Sequence, residues 1–274
     1  MKVKFKLYLF VFTLVLTILY PFKSLATDVL QNIKETGVVK IGIRKDSVLF
    51  GYERDGNWGG YCISFASELA KYLSQKTNRY IEARAVVSTI QTREAMVKNG
   101  TVHLECGPNT ISRQKEVEYN ISYSDPFFIS GTQLIVRANN KNTNLTNKTI
   151  GVLQGTTNLR PITQVFPQAE IRMFPQRGQG VRAVRNGDIS AFAGDTILLI
   201  GEAIVLQGWN SNDFALVPNQ PLSCDAYGMI LPANDPQWEN VVNSFLESRQ
   251  EKQAWDLWFK DLIPYLKSMI DYCK

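Results

Sequence analysis

Short β-branched runs alternate with helix-spaced apolar residues along most of this chain. Gly37-Val38-Val39-Lys40-Ile41-Gly42-Ile43 reads as a strand, followed by a turn-rich stretch from Asp46 to Gly60 with Asp55-Gly56-Asn57 as a hairpin tip. Ile63, Phe65, Ala66, Leu69, Ala70 and Leu73 recur at helical spacing. A strand over 81–87, a helix over 92–99 stopped by Gly100, and a strand over 102–106 complete a strand–helix–strand–helix–strand order. That order predicts an α/β domain with largely parallel strands. A second such unit begins at Gly131. Strands are predicted over 132–137, 149–153, 169–174 and 189–194, with helices from about Thr157, over 180–186 and over 196–207. The tail returns to a strand over 227–232, then helices over 236–251 and from Ala254 to about Ile263, where Pro264 is expected to end or kink the run. Trp238, Phe245, Leu246, Trp255, Trp258 and Phe259 on those helices read as core.

The first 26 residues stand apart. Lys2, Lys4 and Lys6 precede an apolar run from Leu7 to Tyr20, and Ser24-Leu25-Ala26 supplies a small-x-small ending. This is the pattern of a cleaved secretory signal peptide, with the mature chain starting near Thr27. The run is short of the roughly 20 apolar residues that span a bilayer, although an uncleaved anchor is the competing reading. Of 30 basic and 25 acidic residues in the whole chain, the leader holds four lysines and no acid, which leaves 26 against 25. The mature charge is therefore close to neutral, and no basic run points to nucleic acid. Cys62, Cys106, Cys224 and Cys273 form an even set in an exported chain, which favours disulfides. Spacing does not dictate the pairing; Cys62–Cys106 with Cys224–Cys273 is the expectation adopted.

Enzyme templates fit poorly. His103, the single histidine, lies in an apolar strand, so neither a zinc site nor any other metal or cofactor is expected. Gly178-Gln179-Gly180 with Ala183 fits a loose dinucleotide pattern but lacks the acid that should follow. What remains are polar groups at strand ends. Gln154-Gly155-Thr156-Thr157-Asn158 opens a helix after a strand and offers N–H groups and hydroxyls to an anion, or simply a helix cap. Thr110 and Arg113 place a hydroxyl near a guanidinium that can grip a carboxylate in a fork. Asp195 ends an apolar strand, where it is a helix cap or a partner for an ammonium group. Phe50 and Tyr52 follow the first strand and could cover an aliphatic part. Together these make an inventory for a zwitterion.

In this order, Val39-Lys40-Ile41-Gly42-Ile43-Arg44, Phe50-Gly51-Tyr52, Glu105-Cys106-Gly107, Thr110 with Arg113, and Tyr123-Ser124-Asp125-Pro126-Phe127 resemble the type II periplasmic solute-binding proteins, polar amino-acid branch. Gly151 to Thr157, Ala191 to Asp195 and Ala226 to Met229 extend the likeness into the second half. The resemblance implies two α/β lobes joined by two hinge crossings, lobe 1 from residues 27–130 and 227–274 and lobe 2 from 131–226. It implies that Arg113, Thr110, Thr157 and Thr156 hold an α-carboxylate, that Asp195 takes the ammonium, and that Phe50 and Tyr52 cover the side chain. Arg44, Arg93 and Arg177 stand where glutamate/aspartate-binding relatives place cations, so an acidic ligand is favoured over a neutral polar one. The implied protein is a monomeric, non-enzymatic periplasmic receptor that delivers a free amino acid to an inner-membrane ABC permease with a cytoplasmic ATPase. A cyclohexadienyl dehydratase-like enzyme on the same fold, or a detached sensing module, is the alternative.

Overall fold

The computed structural model describes residues 28–274; the leader reading falls outside the described residues. Two five-stranded sheets organise the chain. The first runs in the order Glu82–Ser88, Val38–Arg44, Leu104–Cys106, Ile230–Pro232, Ile121–Tyr123. Its first three strands are parallel, and the returning strand Ile230–Pro232 inserts antiparallel between Leu104–Cys106 and Ile121–Tyr123. The second runs Glu170–Phe174, Thr149–Leu153, Ala191–Asp195, Thr132–Arg137, Phe214–Val217. The inner parallel strands, covered on both faces, bury most of their side chains and so appear in the sequence as apolar runs, whereas the outer strands Glu82–Ser88 and Glu170–Phe174 bury one residue each. Val39, Ile41 and Ile43 are completely buried.

Between the sheets the chain crosses twice. Phe128–Ser130 leads outward and Asp225–Tyr227 returns, and the two pair antiparallel as a short ribbon. Contacts also bridge the cleft directly. Arg177 Nη1 donates to the Asp46 carbonyl at 2.8 Å. Ile197, Leu198 and Ile200 of the second lobe share one apolar cluster with Leu49, Phe50 and Phe65 of the first. A Cβ built on Gly155 would lie 3.2 Å from Ile90 Cγ2 across the opening. The lobes are therefore closed upon each other.

Both disulfides form as expected: Cys62 to Cys106 within the first lobe, and Cys224, beside the returning crossing, to Cys273 of the tail. Elsewhere the sequence reading needs correction. A helix, Val29–Thr36, precedes the first strand, capped by Asp28. The segment after Ser112 is a helix too, Arg113–Tyr119, and buries none of its residues. The long helix expected after 236 breaks near Leu246, and Ser248 caps a new one, Arg249–Phe259. The break expected at Pro264 is present: helix Arg249–Phe259 gives way to a 3₁₀ turn, and Pro264 sits in the first turn of a further helix, Ile263–Cys273, where its missing N–H costs nothing. From Gly201 the helix begun at Thr196 widens into π turns, with Gly201 pressed against Leu49. Gly180, part of the loose dinucleotide pattern, lies within helix Arg177–Asn186, where an added Cβ would meet the Phe192 ring at 2.0 Å. It is a helix–sheet packing glycine.

Candidate functional site

The site collects at the carboxyl ends of parallel strands, where side chains leave the sheet edge and converge. Arg44 ends Val38–Arg44, and Asp195 ends Ala191–Asp195. Gly155, Thr156 and Thr157 follow Thr149–Leu153, and Arg177 opens the helix after Glu170–Phe174. Arg93 opens the helix after Glu82–Ser88. These seven residues, with Thr110, Ser112, Lys115, Ile90, Pro108 and Leu198, enclose a cavity of about 210 Å³ between the lobes. The outer surface has larger hollows, one of about 680 Å³ along helix Tyr61–Thr77, but they are open and gather no comparable set of charges. The chemistry is in the cleft.

Buried guanidinium groups dominate the walls. Arg44 forks onto Asp46 at 2.8 and 3.0 Å. Burial alone would raise the Asp46 carboxyl, but Arg44 and then Arg177 hold it at about 2. Arg93 donates to Asn109 at 2.7 Å and to Glu94 at 3.1 Å, and Glu94 also receives Lys115 Nζ at 2.5 Å. Beneath them Glu105 is wholly buried, accepting from Ser88 at 2.8 Å and Asn109 at 2.5 Å. Its burial pushes the carboxyl up despite Arg93 and Arg44. Gly42 makes the space: a Cβ there would come within 2.8 Å of Glu105 Cγ.

Arg177 differs from the other two arginines. Its one side-chain hydrogen bond goes to a carbonyl, and its buried Nε has no partner. Burial draws its guanidinium below the ordinary value, only partly offset by Asp46. Asp195, 7% exposed, is the acid of the cavity. One of its oxygens accepts Asn158 Nδ2 at 2.6 Å, and the other accepts the Tyr227 hydroxyl from the returning crossing. Each oxygen keeps a lone pair for a further donor.

A sequence profile of the bacterial extracellular solute-binding proteins, family 3, matches residues 39–261. The chain belongs to that family. Among relatives of this solute-binding protein is the glutamate/aspartate import solute-binding protein of Escherichia coli (strain K12). The two are 28% identical over 254 residues, covering 87% of this chain and 82% of the relative. The glutamine-binding protein of Geobacillus stearothermophilus is 29% identical over 186 residues, 66% of this chain and 69% of that one. Among solved structures, the ancestral amino acid-binding protein AncCDT-1, a precursor of cyclohexadienyl dehydratase, superposes with a TM-score of 0.69 at 21% identity. That match covers 85% of this chain and 99% of the other, and at that identity it speaks for the fold alone.

Of the residues expected at the site, Arg44, Arg93, Arg177, Thr110, Thr156, Thr157 and Asp195 line the cavity of the solute-binding protein. Three do not. Phe50 is fully buried in the first lobe, ringed by Tyr61, Phe127, Phe128, Tyr227 and Phe259. Tyr52 lies edge-on to Trp258 in the small sheet beside it. The Arg113 side chain is 87% exposed and pairs with Glu116 at 3.0 Å. Lys115, two residues on, brings that segment's positive charge into the cavity instead. Nothing in the sequence distinguished it, because its direction depends on how helix Arg113–Tyr119 sits on the sheet. Lys115→Ala is expected to weaken ligand binding about tenfold, as for a lost hydrogen bond to a charged group, and Arg113→Ala by less than about threefold. Calorimetric titration of both variants checks the ordering.

Proposed function

We propose that this solute-binding protein is the periplasmic receptor of an ABC importer. It closes over one free L-amino acid, prefers glutamate or aspartate, and passes the ligand as a monomer to a permease driven by a cytoplasmic ATPase. The observation that carries the acidic preference is the unmet Nε of Arg177, a buried cation lining the cavity beside Arg44 and Arg93. A buried donor without an acceptor is costly, and a ligand carboxylate would supply a charge-assisted one. Asp195 receives the ammonium group on its remaining lone pairs. Thr156, Thr157 and Lys115 are placed for the other carboxylate. Because Arg44, Arg93 and Lys115 belong to one lobe and Arg177, Thr157 and Asp195 to the other, the full contact set exists only when the lobes meet. That difference in affinity is what drives closure. The glutamate/aspartate-binding relatives support the reading; glutamine- and cystine-binding ones show how widely the family's ligands range. A dehydratase reading would need a general acid or base in the cleft. Asp195, the residue nearest to that role, already accepts bonds from Asn158 and Tyr227.

Titrating the mature protein against the common amino acids tests the proposal. Glutamate or aspartate should bind most tightly. Arg177→Ala should cost these two about 10- to 100-fold while changing glutamine less than about threefold, as expected for hydrogen bonds to a charged group. An equal loss for acidic and neutral ligands would remove Arg177 from side-chain recognition.

A further inference from the structure

Another buried carboxyl lies in the hinge itself. Asp225 opens the returning crossing, opposite Ser130, and is 6% exposed. The Ser223 hydroxyl lies 2.6 Å from Asp225 Oδ2 and 2.8 Å from the Thr132 hydroxyl, and Ser223 Oγ accepts the Thr132 N–H at 3.1 Å. Asn158 Nδ2 donates to Thr132 Oγ1 at 2.9 Å and to Asp195 Oδ1 at 2.6 Å. The two acids are thus the ends of one chain of polar groups: Asp225, Ser223, Thr132, Asn158, Asp195. Tyr227, two residues beyond Asp225, holds the other oxygen of Asp195.

Ser223 has one hydroxyl hydrogen and two acceptors within reach, Asp225 Oδ2 and Thr132 Oγ1. With Asp225 ionised, Ser223 donates to it, while Asn158 donates to Thr132 and to Asp195. A proton on Asp225 aimed at Ser223 leaves the Ser223 hydrogen to Thr132. Against ionisation stand burial and the Asp195 carboxylate, which push Asp225 up to about 6 in spite of the Ser223 and Thr110 hydroxyls. Among the described residues the charge acting on Asp225 is that of Asp195. The remaining neighbours are hydroxyls, including Ser130 across the ribbon, while Arg44 and Arg177 act on Asp195. On the tail helix tied in by Cys224–Cys273, Lys267 and Asp271 pair with each other at the surface.

We infer that seating an ammonium group on Asp195 drives a proton off Asp225, linking ligand capture to the hydrogen-bond order of the hinge. This rests on the reading of Asp195 given above. The ligand's positive charge offsets the field of Asp195, Asp225 ionises, and the single Ser223 hydrogen turns from Thr132 to Asp225 of the returning crossing. The bound state then holds fewer protons, so affinity is full above pH 7 and falls as the pH drops through 6. A drop of one pKa unit on binding corresponds to roughly fivefold weaker binding at pH 5 than at pH 7.5, and to about half a proton released per ligand at pH 5.5.

Calorimetric titration with L-glutamate and L-glutamine, in two buffers of different ionisation enthalpy at pH 5.5 and pH 8, counts those protons in the wild-type protein. About half a proton released at pH 5.5 and none at pH 8 is expected. L-glutamine, which has no side-chain carboxyl, should give the same count as glutamate wherever it binds. Asp225→Asn should bind without release and with a flat pH profile, whereas Glu105→Gln should keep the release. Binding by the wild type without release at pH 5.5, or release that survives Asp225→Asn, overturns the inference and leaves the functional proposal standing. Failure of every common amino acid to bind overturns the role of Asp195 and this inference with it. The wild-type count decides even where the Asn variant does not fold.

Discussion

Asp195→Ala is expected to weaken binding of every amino acid, acidic or neutral, by at least about a hundredfold. Removing one partner of a buried, hydrogen-bonded charge pair costs about 3–5 kcal/mol, because the other charge is left buried without compensation. The ammonium group is common to all candidate ligands, so the loss should not discriminate among them, in contrast to Arg177→Ala. The same substitution leaves Asn158 Nδ2 without its Asp195 bond and the Tyr227 hydroxyl without the acceptor seen in the structure. A fall of about 1–3 kcal/mol in unfolding free energy should accompany it. Titration of the folded variant decides: affinities within tenfold of wild type would mean that the ammonium does not sit on this carboxylate.

The second large effect concerns stability. Cys62–Cys106 closes a sequence separation of 44 residues between helix Tyr61–Thr77 and the central strand Leu104–Cys106, with both residues fully buried. Chain entropy alone assigns a bridge of that span about 4 kcal/mol. Cys62→Ala with Cys106→Ala, leaving Cys224–Cys273 intact, should therefore lower the melting temperature by about 10 °C for a chain of this size. Thermal unfolding followed by circular dichroism checks it, and a shift below about 3 °C would show that the reduced chain is already held by the surrounding core.

Much of this was legible in the sequence, and the exceptions share a cause. Val38–Arg44, Thr149–Leu153 and Ala191–Asp195 appear as continuous apolar runs because parallel strands are covered on both sides. Residues placed at their ends, Arg44, Thr156, Thr157 and Asp195, inherit that legibility and do line the cavity. Helix Arg113–Tyr119 buries nothing, so no apolar stripe announces it, and the direction of Arg113 and Lys115 cannot be read from spacing. Phe50 looked like a loop aromatic because the five rings around it come from segments as distant as Phe259. The structure also shows that Ser248 divides what reads as one apolar-striped helix, since a cap acts through geometry that periodicity does not record.

The return of the chain to its first sheet has a consequence for biogenesis. Strand Ile230–Pro232 completes a sheet whose other members end at Tyr123, so that half stays unfinished until more than a hundred later residues have emerged. The second sheet draws all its strands from Thr132 to Val217 and has no such wait. During vectorial delivery the later-made half should mature first. Meanwhile its predecessor keeps an open slot between Leu104–Cys106 and Ile121–Tyr123, the edge most exposed to mispairing before the tail arrives.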